Sequence, residues 1–238
     1  MPMRIAIQMD PIEDVDVNAD TTFDMALEAF SRGAQVWVYD PRALQLSSGI
    51  VYATAQLVKD LKREQGKHVV LSDAERINLK DVDVVLIRQD PPFDMAYITA
   101  AQILERIQPD TLVLNDPRAI RDAPEKLFVT EFEDLTPPTL ITSDMHAVRE
   151  FREDHKDVII KPLYGNGGAG VFRMKPDDSN FNSLLELFEQ TFREPIIAQK
   201  FLPSVSKGDK RIILLDGEAI GAINRVPAKG ETLSLIHI

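Results

Sequence analysis

The chain has 238 residues, of which 44% are hydrophobic and 27% charged, enough for a buried core in one large or two modest domains. Its formal net charge of -11 argues against a surface that attracts nucleic acid or anionic lipid, so an anionic small substrate needs a local basic pocket. Cysteine is absent, which excludes disulfides and a thiol nucleophile.

The sequence contains no pattern typical of a secretion signal or a membrane span. Residues 1–9 lack the long apolar run of a signal peptide, and no later stretch approaches the roughly 20 apolar residues that a span needs. We therefore expect a cytoplasmic protein without a membrane or nucleic-acid partner.

Strand and helix patterns alternate through the first half of the chain. Apolar residues at helical spacing from Phe23 to Phe30 predict a helix that Asp20 or Thr21 caps and Gly33 ends. The order strand, helix, strand favours a parallel sheet covered by helices. The other predicted elements of this half are strands at 4–9, 35–39, 83–88 and 111–114 and a helix at 96–107.

The pattern changes near residues 115–126, where Asp116-Pro117 and Ala123-Pro124 interrupt the periodicity. We place a domain boundary there, with an N-terminal α/β domain at 1–122 and a second domain at 123–232. In the second domain, Asp216-Gly217 accepts the positive φ angles of a two-residue hairpin turn. The predicted elements are strands at 158–161, 171–175, 196–201, 211–215 and 218–223 and a helix at 181–192.

The strongest local motif places Lys161 at a strand end, just before a loop that holds four glycines between Gly165 and Gly170. The loop also spells G-x-G-x-x-G, but a dinucleotide-binding fingerprint needs a following helix and a strand is predicted instead. A strand, glycine loop and strand form a flexible flap whose amides can close over a triphosphate. A plain glycine hairpin with a surface lysine is the alternative.

Weaker candidates surround this motif. Lys126 opens a predicted helix at the domain boundary, although lysines there are usually solvated. The strand that runs through residues 198–203 into a proline can offer backbone groups to an adenine edge, and an ordinary core strand explains it equally well. Arg211 and Arg225 flank the hairpin and can form the required basic pocket, while exposed hairpin charges usually have no such role.

The sequence offers one further candidate loop and no motif for a metal site or a catalytic triad. The rigid polar loop at 88–94 follows a sheet strand, where α/β folds tend to bind ligands, but it can also be a proline-stiffened turn. The four histidines have no metal-ligand spacing, and no Ser-His-Asp set is present.

Taken in order, these segments resemble those of the bacterial glutathione synthetases, which are ATP-grasp ligases. No single motif is decisive, but the ordered set is specific and covers nearly the whole chain. The segments are 9–11, 88–94, 115–117, 125–128, 135–137, 160–163, 165–170 and 208–211 with 216–218.

The resemblance implies an α/β fold in which an N-terminal parallel-sheet domain precedes an ATP-grasp domain, and it assigns roles to individual residues. Arg211 would act at the reacting centre and, with Arg225, hold the substrate. At the adenine hinge the family commonly has asparagine or a similar polar residue where this chain has Lys200, so the backbone role is the firmer expectation. The residues implied to bind ATP are Lys126, Lys161, Gly165, Asn166, Gly167, Gly168, Ala169, Gly170, Gln199, Lys200, Phe201, Leu202 and Asp209.

The implied reaction joins γ-glutamylcysteine and glycine at the expense of ATP. A carboxylate accepts an amine poorly, so the family first transfers the γ-phosphoryl group of ATP to it and then lets glycine displace phosphate. Lysines and Mg²⁺ would offset charge, an arginine would stabilise the tetrahedral oxyanion, and the closed loop would exclude water. The resemblance also suggests a homo-oligomer.

The resemblance ends after residue 232. In the family a further segment follows and supplies the acidic and asparagine ligands of Mg²⁺, so no metal ligand is assigned in this sequence and the ATP-grasp domain is expected to be incomplete. Residues 233–238 read as a non-native tail. We expect little or no turnover by these 238 residues, and measurable glutathione formation would refute this expectation.

Two other functions remain open from the sequence. Another ATP-grasp ligase would share the nucleotide grip and differ in its acceptor pocket, which product analysis with alternative amino acids would reveal. A nucleotide-binding module without turnover would bind ATP tightly and release no phosphate.

Overall fold

A computed structural model describes residues 1–165 and 168–226 of the chain. The predicted roles of Asn166 and Gly167 and the predicted tail at 233–238 lie outside these residues. The chain divides into two compact units, Met1–Pro124 and Glu125–Ile238. Within the described part, no helix combines the length and apolarity that crossing a membrane requires.

The first unit is built on an eight-stranded sheet with helices on both faces. Its strands run in the order β3-β4-β2-β1-β7-β8, with β5 and β6 paired to β4. The strands are β1 (Arg4–Gln8), β2 (Gln35–Tyr39), β3 (Leu44–Ser47), β4 (Ile50–Leu61), β5 (Val69–Leu71), β6 (Glu75–Asn78), β7 (Val84–Ile87) and β8 (Leu112–Leu114). The helices are α1 (Thr21–Ser31), α2 (Met95–Leu104) and α3 (Pro117–Asp122).

Strand alternation in β1 divides the core of this unit into two layers. Ile5 and Ile7 pack with Phe23 of α1 on one face, whereas Ala6 packs with Leu104 of α2 on the other. Because successive side chains of a strand point to opposite faces, a strand covered on both sides reads as a continuous apolar run. The parallel pairing of β1 with β2 and β7, and of β7 with β8, agrees with the predicted order of elements.

Helix α1 forms where its apolar spacing and its caps predict it. The Asp20 carboxylate accepts a hydrogen bond from the Phe23 amide at 2.6 Å and so satisfies one of the free donors of the first turn. Gly33 follows the helix with φ of +82°, a left-handed conformation that glycine adopts without strain.

The antiparallel part of this sheet was not predicted. Strands β3 and β4 form a hairpin through Ser48 and Gly49, both at positive φ, and β4 pairs antiparallel with β2, β5 and β6. The sheet is therefore mixed rather than purely parallel. The long strand β4 has no strict alternation of buried and exposed residues, because several partners cover different parts of it.

The second unit begins with the short helix α4 (Glu125–Phe128) and contains an antiparallel sheet in the order β11-β10-β12-β9. One face of this sheet packs against Val148 of α5 and against Leu185 and Phe188 of α6. The elements are β9 (Thr139–Thr142), β10 (Val158–Pro162), β11 (Phe172–Met174), β12 (Ile196–Lys200), α5 (Met145–His155) and α6 (Phe181–Thr191).

Alternation along β10 and β12 separates the core face of this sheet from a second face. Val158 and Ile160 of β10 lie in the core with Ile196 and Ala198 of β12. Their neighbours along each strand therefore point to the opposite face, which brings Lys161 and Gln199 to the same side of the sheet.

A separate ribbon follows in the same unit. Strands β13 (Asp209–Leu215) and β14 (Glu218–Arg225) pair antiparallel across the predicted turn. Asp216 and Gly217 have φ angles of +50° and +83°, as a two-residue hairpin turn of this sequence requires.

Candidate functional site

The second unit contains a cavity of about 640 Å³ on the face of its sheet that carries Lys161. Its walls come from α4, β10, the glycine loop, β12 with the segment after it, and the β13–β14 ribbon. Lys126, Lys161, Gln199, Leu202, Arg211 and Arg225 all line it. A concave site of this size with converging cations suits an anionic small molecule.

Lys161 lies near the end of β10 and is partly buried in the cavity wall. Burial holds the pKa of its ammonium group below the ordinary value, the nearby charge of Lys126 acts in the same direction, and Glu125 opposes both. Its Nζ donates a hydrogen bond of 3.1 Å to Oε1 of Gln199. The site therefore concentrates positive charge at some cost to the empty protein.

Lys126 approaches the same cavity from α4. Its Nζ lies 2.6 Å from Oε1 of Glu125 and also donates to the carbonyl oxygen of Gly165 at the start of the glycine loop. The sequence pattern alone favoured a solvated lysine at this position. In the structure its side chain reaches the loop, and the two lysines predicted from the resemblance line one cavity.

At particular positions of the glycine loop, a side chain would crowd Pro162 or would require a left-handed backbone conformation. A Cβ at Gly165 would lie 2.9 Å from Cγ of Pro162, and one at Gly170, where φ is +73°, would lie 3.2 Å from Cδ of the same proline. Gly168 also has a positive φ, of +76°. Gly165, Gly168 and Ala169 line the cavity, and β11 follows the loop in place of the helix that a dinucleotide-binding fingerprint needs.

The predicted hinge, residues 199–202, forms one wall of the cavity. The amide of Lys200 donates to the carbonyl of Pro138 and the amide of Phe201 donates to that of Asp157, each at 2.9 Å. The Leu202 amide has no acceptor among the residues that the structure describes, so it is the donor that this segment can offer a ligand.

Arg173 packs against Phe201, one of the hinge residues. Its guanidinium group lies 3.6 Å from the ring centroid of Phe201 and pairs with Asp157 through contacts of 3.0 and 2.6 Å. This hydrogen-bonded arginine lowers the pKa of the Asp157 carboxyl. The arrangement fixes the strand end that carries the hinge.

The ribbon brings the remaining predicted residues to the cavity. Arg211 is exposed and lines the cavity, whereas Arg225 is partly buried and donates to the carboxylate of Asp209 through Nε and Nη2. Asp209 is therefore engaged by an arginine of the same ribbon. A Cβ at Gly208, just before this pair, would lie 2.5 Å from the carbonyl oxygen of Arg225, which requires glycine there.

Several residues of this site were missed by the sequence interpretation. Thr139 accepts a hydrogen bond of 2.7 Å from Nε2 of Gln199, and Glu125 contacts Lys126. Asp157 and Arg173 lie in the second domain without any motif. The acidic neighbour of Lys126 was visible in the sequence, but the other contacts depend on strand pairing and have no local signal.

The loop at residues 88–94 belongs to the first unit and borders a separate acidic cavity. Arg88 donates to the hydroxyls of Thr21 and Thr22 at 3.0 Å. Burial raises the pKa of the nearby Asp90 carboxyl, and the negative charges of Asp10 and Asp20 act in the same direction. These contacts tie the loop to the start of α1.

The described residues contain no group of three or more His, Cys, Asp or Glu side chains placed to hold a metal ion. No metal ligand is therefore assigned in either unit.

Family models match both units. The N-terminal domain of prokaryotic glutathione synthetase matches residues 3–121, and the ATP-grasp domain of prokaryotic glutathione synthetase matches residues 125–238. The chain is 54% identical to the glutathione synthetase of Agrobacterium fabrum over 234 residues, which are 98% of this chain and 73% of that protein. It is 53% identical to the glutathione synthetase of Mesorhizobium japonicum over 238 residues, which are 100% of this chain and 76% of the relative.

Solved structures share the fold at low sequence identity. The chain is similar to a D-cycloserine synthetase with a TM-score of 0.63 and 16% identity, over 94% of this chain and 68% of that one. It is also similar to a RimK domain ATP-grasp protein from Sphaerobacter thermophilus with a TM-score of 0.60 and 16% identity, over 94% and 73% of the two chains. These likenesses confirm the predicted α/β architecture with an ATP-grasp domain after an N-terminal sheet.

Proposed function

Since this chain belongs to the prokaryotic glutathione synthetase family, we propose that the cavity of its second unit binds the ATP that drives formation of glutathione. The chain is a peptide-bond-forming ligase of the ATP-grasp fold, and its family role implies γ-glutamylcysteine and glycine as substrates. The observation that carries the proposal is the convergence of Lys126, Lys161 and the glycine loop on one basic cavity in a chain of net charge -11.

The two lysines would grip the phosphates of ATP. Both ammonium groups line the same cavity, and the charge of Lys126 disfavours the charged form of Lys161 while the cavity is empty. A triphosphate brings several negative charges and relieves this repulsion. The relief of repulsion would therefore contribute to the free energy of nucleotide binding. The backbone amides of the loop between Gly165 and Gly170 would close over the same phosphates.

The hinge would recognise the base through its backbone. The Leu202 amide, which has no acceptor within residues 1–165 and 168–226, would donate to a ring nitrogen of adenine. Phe201, which packs against Arg173, would keep the hinge in place. Asp209, whose carboxylate accepts a hydrogen bond from Nε of Arg225, would bind the ribose.

The chemistry of ligation needs charge neutralisation more than a nucleophile. Lys126 and Lys161 would stabilise the γ-phosphoryl group as it moves to the carboxylate of γ-glutamylcysteine. Arg211, the exposed arginine of the cavity wall, would stabilise the oxyanion formed when the glycine amine attacks. Arg225 would hold the peptide substrate, and the closed loop would keep water from the acyl phosphate.

ATP-grasp enzymes use ATP and Mg²⁺ in general, and Mg²⁺ supplies charge neutralisation at the triphosphate when it is bound. The described residues provide no carboxylate cluster that fits this ion. A homo-oligomeric state and a cytoplasmic location stay predictions.

Nucleotide binding tests the cavity directly because it does not depend on turnover. We expect ATP to bind the purified chain in isothermal titration calorimetry, and Lys126→Met and Lys161→Met together to weaken it by about 100-fold or more, since two charge-assisted contacts are lost. The control is Lys59→Met, an exposed lysine of the first unit. Unchanged ATP affinity in the double variant would contradict the proposed site.

Product analysis tests the ligase function. The chain, ATP and Mg²⁺ are incubated with γ-glutamylcysteine and a panel of amino acids, and the products are identified by mass spectrometry. Glutathione with equimolar ADP supports the proposal and refutes the expectation from the sequence that these 238 residues have little or no turnover. A product in which an amino acid other than glycine is joined to γ-glutamylcysteine would favour another ATP-grasp ligase.

A further inference from the structure

A chain of hydrogen bonds runs from the backbone of the second unit to the ammonium group of Lys161. Thr139 Oγ1 donates to the carbonyl of Pro137 at 2.8 Å. Nε2 of Gln199 donates to Thr139 Oγ1 at 2.7 Å, and Oε1 of Gln199 accepts from Nζ of Lys161 at 3.1 Å. Thr139 itself is not among the residues that line the cavity.

The donors and acceptors that each group possesses allow only one direction for these hydrogen bonds. A carbonyl oxygen can only accept a hydrogen bond, so the Thr139 hydroxyl donates its single proton to the carbonyl of Pro137. Toward Gln199 the hydroxyl oxygen can then act only as an acceptor. The amide of Gln199 must therefore turn its NH₂ group toward Thr139. Its carbonyl oxygen then faces Lys161, where an ammonium group needs an acceptor.

Strand register brings these three side chains together. Gln199 of β12 pairs with Thr139 of β9 on one side and with Ile159 of β10 on the other. Lys161 lies two residues beyond Ile159 on the same face, at the diagonal position that long side chains can reach. This hydrogen-bond relay of Thr139, Gln199 and Lys161 therefore crosses the sheet from β9 through β12 to β10.

We propose that Thr139 is a positioning residue for nucleotide binding, which holds the ammonium group of Lys161 in place through the side-chain amide of Gln199. This inference rests on the proposed nucleotide site and adds to it a residue that has no contact with the ligand. It also changes the role of Gln199, whose side chain faces Lys161 rather than the base.

The decisive variant is Thr139→Val, which keeps the shape of the side chain and removes the hydroxyl. Nε2 of Gln199 then loses its acceptor, and an amide that rotates to find another presents hydrogens to the ammonium group. We expect ATP affinity in calorimetry to fall about 5-fold to 10-fold, as for loss of one hydrogen bond to a charged group. Thr139→Ser keeps the hydroxyl, and its ATP affinity should stay within about 2-fold of the parent.

A double-mutant cycle separates positioning from general damage to the fold. In a Lys161→Met background, Thr139→Val should have little further effect on ATP affinity, because the group through which it acts is gone. An equal loss in both backgrounds would mean that Thr139 shapes the cavity without Lys161 and would overturn the proposal.

A second readout needs no nucleotide. The pH profile of Lys161 acylation by an amine reagent, followed by mass spectrometry, reports its pKa in the presence of Lys126, Glu125, Arg211 and Arg225 on the other cavity walls. Loss of an acceptor disfavours the ammonium form, so Thr139→Val should shift the midpoint to lower pH and Thr139→Ser should not.

An unshifted profile in Thr139→Val, with ATP binding by the parent chain intact, would overturn the relay alone. Absence of ATP binding by the parent chain would instead overturn the proposed nucleotide site, and with it the nucleotide part of this inference.

Discussion

Lys161 carries a charge that the ligand-free protein holds at a cost. Burial and the charge of Lys126 lower the pKa of its ammonium group. Because the folded-state pKa is below the unfolded value, the unfolded chain binds more protons between the two values, so this group makes stability rise with pH in that window. Below the window, where both states are protonated, the penalty for the folded state is complete.

We expect Lys161→Met to stabilise the ligand-free chain at neutral pH while it weakens ATP binding. An uncharged side chain of similar length removes the buried ammonium group, and the melting temperature should rise by about 2 °C or more. Scanning calorimetry with and without ATP measures both effects. The gain should shrink as pH rises through this window and disappear above the unfolded-state pKa of about 10.4, where the lysine is neutral in both states.

The exposed Lys59→Met is the matched control, since it removes a lysine that is not buried. It should change neither the melting temperature nor the response to ATP. A Lys161→Met variant that melts at a lower temperature than the parent at neutral pH would show that Lys161 stabilises the empty protein, against the argument from its burial.

At the scale of elements, the glycine loop depends on two separate constraints, its backbone conformation and its contact with Pro162. Gly170 has φ of +73° and a Cβ there would lie 3.2 Å from Pro162. Gly66, in a turn of the first unit, has φ of +78° with nothing within 4 Å. This pair of glycines allows the two constraints to be measured apart.

We expect Gly66→Ala and Gly170→Ala each to lose about 1 kcal/mol of stability from the positive φ, and Gly170→Ala to lose more because of the proline. Gly170→Ala should also weaken ATP binding, because the loop amides shift relative to the phosphates. Urea unfolding and calorimetry measure the two effects. Equal ATP affinity for Gly170→Ala and the parent chain would remove the loop from the nucleotide site.

The elements that could be predicted are those that carry a period or a turn signal of their own. The helix through Phe23 and Phe30 and the hairpin turn at Asp216-Gly217 were predicted correctly, because spacing and positive φ angles are local properties. The antiparallel strands around β4 were not predicted, since a strand with different partners along its length lacks a clean alternation. The contact of Gln199 with Thr139 joins residues 60 positions apart and depends on register alone.

Within the site, the sequence identified candidate residues from their chemical type and their motifs, but it could not predict which partners they contact. Lys161 and the glycine loop were found from one motif, and Lys126 and the arginines gained weight only from the family resemblance. Asp209 is an example, because its carboxylate pairs with Arg225 as a result of the strand register in the ribbon, which the sequence motif does not reveal.

At the scale of the whole molecule, the division into two units separates the proposed nucleotide site from the parallel sheet. The described residues that line the cavity all belong to Glu125–Ile238. The first unit has its own two-layered core, built on the two faces of β1. A ligand that binds one unit stabilises that unit first and reaches the other only through coupling between them.

Hydrogen exchange with mass spectrometry on the full chain can therefore locate the effect of ATP. At a concentration of 100 times the dissociation constant, ATP should stabilise the state that binds it by about 2.7 kcal/mol. We expect slower exchange in peptides that contain β10 and β12 and in the glycine loop. Peptides from β1 and β7 should show a much smaller change, because their amides belong to a core that the ligand does not touch. Slowing of equal size in both units would indicate that the chain unfolds as one cooperative body, and slowing confined to β1 and β7 would place the nucleotide in the wrong unit for the proposed site.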